Sequence, residues 1–384
     1  MQLPQNLKDK LNNRHLKNAF RELPVSKNLI DFASNDYLGF SESKYIFEAT
    51  HQYLKTHNIH QNGATGSRLL SGNHGLYALA ETFIANFHQS ETALIFNSGY
   101  TANIGFFSAV PQKNDFILFD ELCHASIRDG IMMSNAKSYK FKHNDFKDLE
   151  RLIYFCKNVE KSEISNVYIT TESVFSMDGD TPNLKELVEI SEVNNCFLVI
   201  DEAHAVGVFG NNGEGLIQDL NLQDKVFARI ITFGKALGCH GAAILGGQDL
   251  RDYLINFSRS FIYSTGLSPH SVATILMAYQ HLEKNNKEVE QLKKNIQFFN
   301  QQKTILSLKP LFVHSKSAIQ SAIIPGNDQV KSIAQKIQEK GFDVKAILSP
   351  TVPRGQERLR FCLHSYNSEK EIIAVLDLLN NLKN

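Results

Sequence analysis

The chain contains no tryptophan and only five cysteines, at positions 123, 156, 196, 239 and 362. The cysteines are odd in number and lie far apart. None forms a C-x-x-C pair or joins a Cys/His cluster, so the sequence implies neither a disulfide framework nor a zinc site. A reducing cytoplasm is the setting expected. No run approaches the ~18 consecutive apolar residues of a transmembrane helix. The first segment, MQLPQNLKDKLNNRHLKNAFREL, lacks the continuous apolar stretch of a secretory signal. Pro4, Asp9 and Glu22 also count against a transit peptide, which leaves an amphipathic first helix as the expectation. Net charge is missing as well. Lys and Arg total 40 and Asp and Glu total 40, so whole-chain charge calls for neither nucleic acid nor an anionic membrane.

What the chain does have is size and apolar content. Its 384 residues are long for one core, and a 42% hydrophobic fraction with 26 Phe and 12 Tyr is ample for packed domains. From about residue 75, short apolar runs alternate with helical patterns. Strands are expected at Thr92–Phe96, Phe116–Phe119, Val167–Thr171, Phe197–Asp201, Ala228–Thr232 and Ala242–Leu245. Helices are expected at Leu76–Phe87, Phe146–Cys156 and Leu184–Val193. Near-continuous apolar strands separated by helices predict an α/β fold with a mostly parallel sheet covered on both faces. Ligands in such folds bind at the carboxyl ends of the strands. Ser268-Pro269 opens a long helical stretch that turns polar at Glu283–Lys294. Beyond it, strands near 310–324 and 358–363 with helices near 328–340 and 368–381 predict a smaller α+β domain. The expected division is an arm at 1–45, a large domain at 46–285 and a small domain at 286–384.

Two strand ends carry chemistry. The run Cys196-Phe-Leu-Val-Ile-Asp201-Glu-Ala-His204 places a carboxylate at a strand tip. Taken alone it fits a helix cap or a metal ligand as well as a cofactor contact. D-E-A-H is also a helicase motif, but that reading needs an upstream G-x-x-x-x-G-K-[ST] loop, and the sequence has none. The run Ile230-Ile-Thr232-Phe-Gly-Lys235 ends a second apolar strand on a lysine, which is costly to bury unless paired or chemically used. A lone lysine there could equally reach the surface. Asp201 precedes Lys235 by one connecting segment and one strand, so both side chains can face the same sheet edge. Pyridoxal phosphate needs that pair: an anion beside its pyridine nitrogen and an exchangeable amine at its aldehyde. Asn97-Ser-Gly99-Tyr100-Thr101, after the strand Thr92–Phe96, offers backbone N–H groups at a helix start for the phosphate, although S-G-Y also suits an ordinary strand–helix turn.

These segments bring a family resemblance into view. The chain resembles the α-oxoamine synthases, fold-type-I pyridoxal-phosphate enzymes that condense an amino acid with an acyl thioester and release carbon dioxide. The likeness runs in order through Ser34–Gly39, Gly66–Gly72, Ser98–Asn103, Asp120–Ser126, Thr171–Asp180, Asp201–His204, Thr232–Lys235 and Arg358–Arg360. It implies a mostly parallel seven-stranded sheet in the large domain and pyridoxal 5′-phosphate as cofactor. Lys235 would hold the cofactor as a Schiff base and move the amino acid's α-proton, Asp201 would pair with the pyridine nitrogen, and His124 would stack on the ring. His204 and Ser176 would meet the ring hydroxyl, and Gly99, Tyr100 and Thr232 the phosphate. Arg360 would clamp the amino acid's carboxylate, with Thr351, Arg21, Asn35 and His124 also touching substrate. A homodimer is implied, with Ser264 and Thr265 reaching the partner's phosphate site. No metal is implied.

Within the family, Phe261-Ile-Tyr-Ser-Thr265 and Ser349-Pro-Thr-Val-Pro353 favour the member that joins L-alanine to a pimeloyl thioester in biotin biosynthesis. The acyl donor could be carried on coenzyme A or on a carrier protein. The Gly63-Ala-Thr-Gly66 loop, Cys239-His240 and Gly266 depart from the commonest pattern, which bears on acyl-chain preference. The alternatives are a family member using glycine or serine with another acyl thioester, a plain aminotransferase, and a non-catalytic partner subunit.

Overall fold

The computed structural model describes residues 2–23, 28–158 and 165–383. The Cα positions group into two compact units. The larger holds Asn35–Ser176 and Thr181–Leu292, and the smaller holds residues up to Ser34, Met177–Asp180 and those from Lys293 on. The sequence draws its divisions at 45 and 285 instead.

In the large unit seven strands form one sheet: β1 (Thr92–Phe96), β2 (Phe116–Asp120), β3 (Lys137–Phe141), β4 (Val167–Glu172), β5 (Phe197–Asp201), β6 (Ala228–Thr232) and β7 (Ala242–Gly246). Their spatial order is β1-β7-β6-β5-β4-β2-β3, with β7 antiparallel to both neighbours and the remaining pairs parallel. Alternate residues of one strand enter different cores. Ile117, Tyr168 and Val199 join one apolar cluster with Phe106 and Ile244, while Leu118, Ile169 and Ile200 join another with Leu149 and Leu187. The central strands are therefore buried on both faces, which is why they read as continuous apolar runs. Helices cover them, among them α1 (Gly75–Phe87), α2 (Gly99–Ala109), α3 (Ala125–Met132), α4 (Phe146–Asn158), α5 (Leu184–Val193) and α6 (Pro269–Lys284).

Strand β3, KSYKF, escapes prediction because it is a polar edge strand with exposed lysines, a composition that discourages further pairing. Strand β7 reverses direction for a simple reason. Its connection from β6, Phe233–Gly241, is too short for the dozen-residue crossover a parallel pair needs. Strands β2 and β3 lie on one side of β4, and β5, β6, β7 and β1 on the other. The strand order thus reverses between β2 and β4, and the carboxyl edge there is where such a fold opens a crevice.

Beneath that edge lies a buried polar cluster. The Arg229 guanidinium meets Glu202 Oε2 at 2.7 Å and donates to the His88 carbonyl at 3.0 Å and the Glu214 carbonyl at 3.1 Å. Glu202 Oε1 accepts the Ile217 N–H at 2.9 Å. Asp201 and Glu202 are adjacent in sequence, so this ion pair anchors the loop that begins at the end of β5.

In the small unit, β8 (Ile319–Ile323), β9 (Lys345–Ile347) and β10 (Arg358–Cys362) form an antiparallel sheet with β10 central. Two amphipathic helices, α7 (Asn327–Glu339) and α8 (Glu369–Leu382), accompany it, and Ser368 and Glu371 form a reciprocal capping box at the start of α8. Ile30 and Asp31 pair in parallel with Phe342 and Asp343. Met177–Asp180 belongs here because Asp178 pairs with Arg358 and the Gly179 carbonyl accepts the Ser315 and Ser317 hydroxyls. The first helix forms at Gln5–Leu16 as expected, but buries none of its residues, and its leucines stay exposed.

Two outcomes follow. Glu202→Ala leaves Arg229 as an uncompensated buried cation, so urea unfolding should show a loss of about 3–5 kcal/mol. In the small unit, Lys303 Nζ donates to Gln320 Oε1 at 2.6 Å and stands 4.7 Å from the Phe312 ring centroid, and burial pulls its ammonium down from 10.5 to about 8. Between those values the unfolded chain binds the proton more tightly than the folded one, so stability should rise with pH across about 8 to 10.5. Lys303→Met should flatten that slope in denaturation curves taken across the window.

Candidate active site

A cavity of about 290 Å³ opens at the carboxyl edge of the large sheet. Five strand ends supply it. The turn after β1 contributes Ser98 and Gly99, the loop after β2 contributes His124, β4 ends on Glu172, β5 ends on Asp201, and β6 ends on Thr232. The short β6–β7 connection carries Lys235 into the lining. That loop is closed by Phe233 N–H to the Gly241 carbonyl, Cys239 N–H to the Phe233 carbonyl and Gly238 N–H to the Lys235 carbonyl. Gly238 has a positive φ of 59°, and a Cβ there would stand 2.1 Å from the Ser41 nitrogen, so the turn requires glycine.

Asp201 is the best-held group. Its Oδ1 accepts the Ala203 N–H at 2.8 Å and its Oδ2 accepts from Asn103 Nδ2 at 2.8 Å. Asn103 Nδ2 also donates to Ser126 Oγ at 3.0 Å, and Ser126 Oγ lies 2.8 Å from His124 Nδ1. Asn103 lies one helical turn after Gly99, so the two share the face of α2 that meets the cavity. His204 Nδ1 lies 2.7 Å from the Tyr37 hydroxyl, which is fully buried. The protein packed around the His124 imidazole pulls it below the usual histidine value, partly offset by the Asp201 charge. Burial, reinforced by Asp201, pushes Glu172 up to about 8.

The part of the lining at the start of α2 suits an anion. Ser98 caps α2 through a reciprocal box with Thr101, and the first N–H groups of α2 face the lining at Gly99 and Tyr100. A Cβ on Gly99 would stand 2.6 Å from Thr232 Cγ2, so only glycine leaves the space open. Thr232 Oγ1 is buried with no hydrogen-bond partner in the protein, and so is Asn103 Oδ1. Buried polar atoms without partners inside a lined cavity are groups a ligand would satisfy. The residues present therefore fit a flat ring with an anionic tail: a carboxylate, an amine and an N–H cradle around one space.

The structure brings Asn35, Gly99, Tyr100, His124, Asp201, His204, Thr232 and Lys235 of the sequence-derived set into this lining. Tyr100 turns its hydroxyl onto Asp129 Oδ2 at 2.5 Å, which raises its pKa. Ser176 stands in the turn after β4, half-buried and outside the lining. Ser264 and Thr265 also lie outside it, where Thr265 bridges Ser67 and its carbonyl accepts from Asn97 Nδ2 at 2.6 Å. In the small unit, Arg360 is buried on β10 between Ser321 and Lys345, while Arg21 and Thr351 are exposed. Sequence reasoning did not assign roles to Glu172, Asn103, Ser126 or Tyr37, although all lie in or beside recognised motifs. Glu172 had a signal, since it ends β4 as Asp201 ends β5. Among the described residues, no group of three or more His, Cys, Asp or Glu side chains could hold a metal ion, and no helix is long and apolar enough to cross a membrane.

Comparison with known proteins identifies the family. The family Aminotransferase class I and II matches residues 27–377. The chain is similar to 8-amino-7-oxononanoate synthase of Emericella nidulans, with 37% identity covering 98% of this chain and 95% of that protein. Among solved structures it is similar to 8-amino-7-oxononanoate synthase from Francisella tularensis, with 30% identity, a TM-score of 0.77, and coverage of 93% and 98% of the two chains. It also matches a serine palmitoyltransferase variant from S. paucimobilis solved with a bound PLP–myriocin aldimine, with a TM-score of 0.87 and 98% and 96% coverage. That last pair is 23% identical, so the likeness concerns the fold.

Gly99→Ala tests the cradle directly. The added methyl must part Thr232 from the start of α2, and inorganic phosphate affinity, measured by calorimetry, should fall roughly tenfold, or about 1.4 kcal/mol, with the circular dichroism spectrum unchanged.

Proposed function

The chain belongs to the class I and II aminotransferase family, and from that premise we propose that it is a pyridoxal-phosphate-dependent acyltransferase. It joins L-alanine to a pimeloyl thioester with loss of carbon dioxide, giving 8-amino-7-oxononanoate. The observation that carries this reading is the meeting of Lys235, Asp201 and the start of α2 around one cavity. Identity of 37% and 30% to proteins named 8-amino-7-oxononanoate synthase supports the choice of reaction.

Pyridoxal phosphate, when bound, supplies an electron sink that stabilises negative charge at the amino acid's α-carbon. The chain's own residues do the rest. Asp201, oriented by Asn103 and Ala203, holds a proton on the pyridine nitrogen through its charge. Lys235 supplies the amine that anchors the cofactor, then takes the α-proton of alanine and later returns it. The α2 N–H groups and Thr232 Oγ1 hold the phosphate. His124 presents its imidazole to the ring, and His204, backed by Tyr37, meets the ring oxygen; Ser176, outside the lining, is given that role by the sequence resemblance alone. From the sequence resemblance, Arg360 clamps the alanine carboxylate, where a guanidinium fits two oxygens at once, and Asn35, Thr351 and Arg21 contact substrate.

A homodimer in the cytoplasm completes the reading, with Ser264 and Thr265 serving the partner's phosphate site. Their position outside their own chain's cavity lining agrees with that role.

The loaded protein should show a visible absorption band that shifts on adding L-alanine. Lys235→Ala should lose the original band and about 10²–10⁴ of the turnover rate. Turnover with alanine, glycine and serine against pimeloyl, acetyl, succinyl and palmitoyl thioesters identifies the pair. Preference for serine and palmitoyl thioester would overturn the choice of reaction while leaving the cofactor chemistry intact.

A further inference from the structure

Three carboxyl groups end neighbouring parallel strands at the site's edge: Asp120 on β2, Glu172 on β4 and Asp201 on β5. Two have evident duties. Asp120 is met by His143 Nδ1 at 3.0 Å and by the N–H groups of Leu122 and Asn144, which shapes the loop leading to His124. Asp201 faces the cofactor site. Glu172 has no part in the chemistry above, yet it is 3% exposed, lines the cavity and stands in register with Asp201 on the adjacent strand.

Its hydrogen bond is specific. Glu172 Oε1 accepts the main-chain N–H of His124 at 2.6 Å. The His124 ring is held from the other side, through Ser126 and Asn103 to Asp201. His124 begins a helix and sits on a loop after β2, where its N–H belongs to no strand ladder or helical turn. Among the described residues, no acceptor other than Glu172 meets that N–H.

We propose that Glu172 is a positioning residue: by taking the His124 N–H it sets where the imidazole stands in the cofactor site. Main chain and ring of His124 are thus held by neighbouring strand ends, β4 and β5, so the ring stack and the Asp201 anion keep a fixed spacing. The proposal deepens the reading of this cavity as a pyridoxal-phosphate site and rests on it for the identity of the ring, though not for the hydrogen bond.

A pH signature accompanies the geometry. The groups facing Glu172 are Asp201 on β5, Lys235 in the β6–β7 loop, and Asp120, Cys123 and His124 on and after β2. Burial and then Asp201 raise the carboxyl from 4.5 to about 8, with Lys235 and the His124 N–H working against the shift. The folded protein therefore holds a proton that the unfolded chain releases, and stability falls as pH rises from about 4.5 to about 8, then levels off.

The test compares Glu172→Gln, Glu172→Ala and Glu172→Leu in the full-length protein, with and without pyridoxal phosphate. Amide hydrogen exchange at His124 in the cofactor-free protein is the first measurement. Gln keeps an acceptor oxygen and should leave His124 protected as in the wild type, whereas Ala and Leu should each speed exchange at least about tenfold. Cofactor dissociation constants should follow the same order, and the Gln variant should lack the fall in stability between pH 4.5 and 8. Wild-type protection in Ala and Leu would overturn the proposal, as would fast exchange in Gln. Leu behaving as wild type while Ala does not would assign Glu172 a filling role only. If the wild type bound no cofactor, the reading of the site would fail while the exchange pattern still decided the role of Glu172.

Discussion

The groups around the cavity are arranged about one carboxyl group, Asp201, at the end of a buried strand. A carboxylate taken out of water needs donors or a cation, and here two N–H donors meet it at 2.8 Å each. Those donors come from different elements, α2 and the loop after β5, which ties the helix to the end of the strand. The next residue, Glu202, points away into the pair with Arg229, so a single turn of chain is pinned on both sides. Asp201 is held by these donors while it still lines the cavity.

The same anion orders its neighbours electrostatically. Glu172, one strand over, is pushed up to about 8 by burial first and by Asp201 second. Acids on adjacent strand tips therefore sit in different surroundings, Asp201 met by two N–H donors and Glu172 raised by burial and by its neighbour. Divergent environments for similar groups are how active sites obtain distinct acid and base roles from few residue types.

Topology explains why these groups meet. The chain lays β2 and β3 to one side, returns to place β4 beside β2, and then builds outward through β5 and β6. The loops after β2, β4 and β5 diverge at that reversal and leave a crevice. The brief β6–β7 connection then swings Lys235 back over the edge. A longer, helical connection would have carried that lysine elsewhere. The antiparallel β7 thus helps to place Lys235 in the cavity lining as well as to complete the sheet.

Much of this was legible in the sequence. Strands β1, β2, β4, β5, β6 and β7 announce themselves because burial on both faces demands apolar residues throughout, and Lys235 and Asp201 stand out as charges at the ends of such runs. The polar edge strand β3 did not, since an exposed edge is selected against apolar continuity. Nor could sequence order reveal that Asn103 reaches Asp201, that Tyr37 backs His204, or that Glu172 holds the His124 main chain. Those pairs are separated along the chain by 98, 167 and 48 positions, and only folding sets their distances. The residue types and the strand ends they occupy determined the chemistry on offer. The tertiary structure decided which donor faces which acceptor, because hydrogen bonds depend on sub-ångström geometry that no linear spacing encodes.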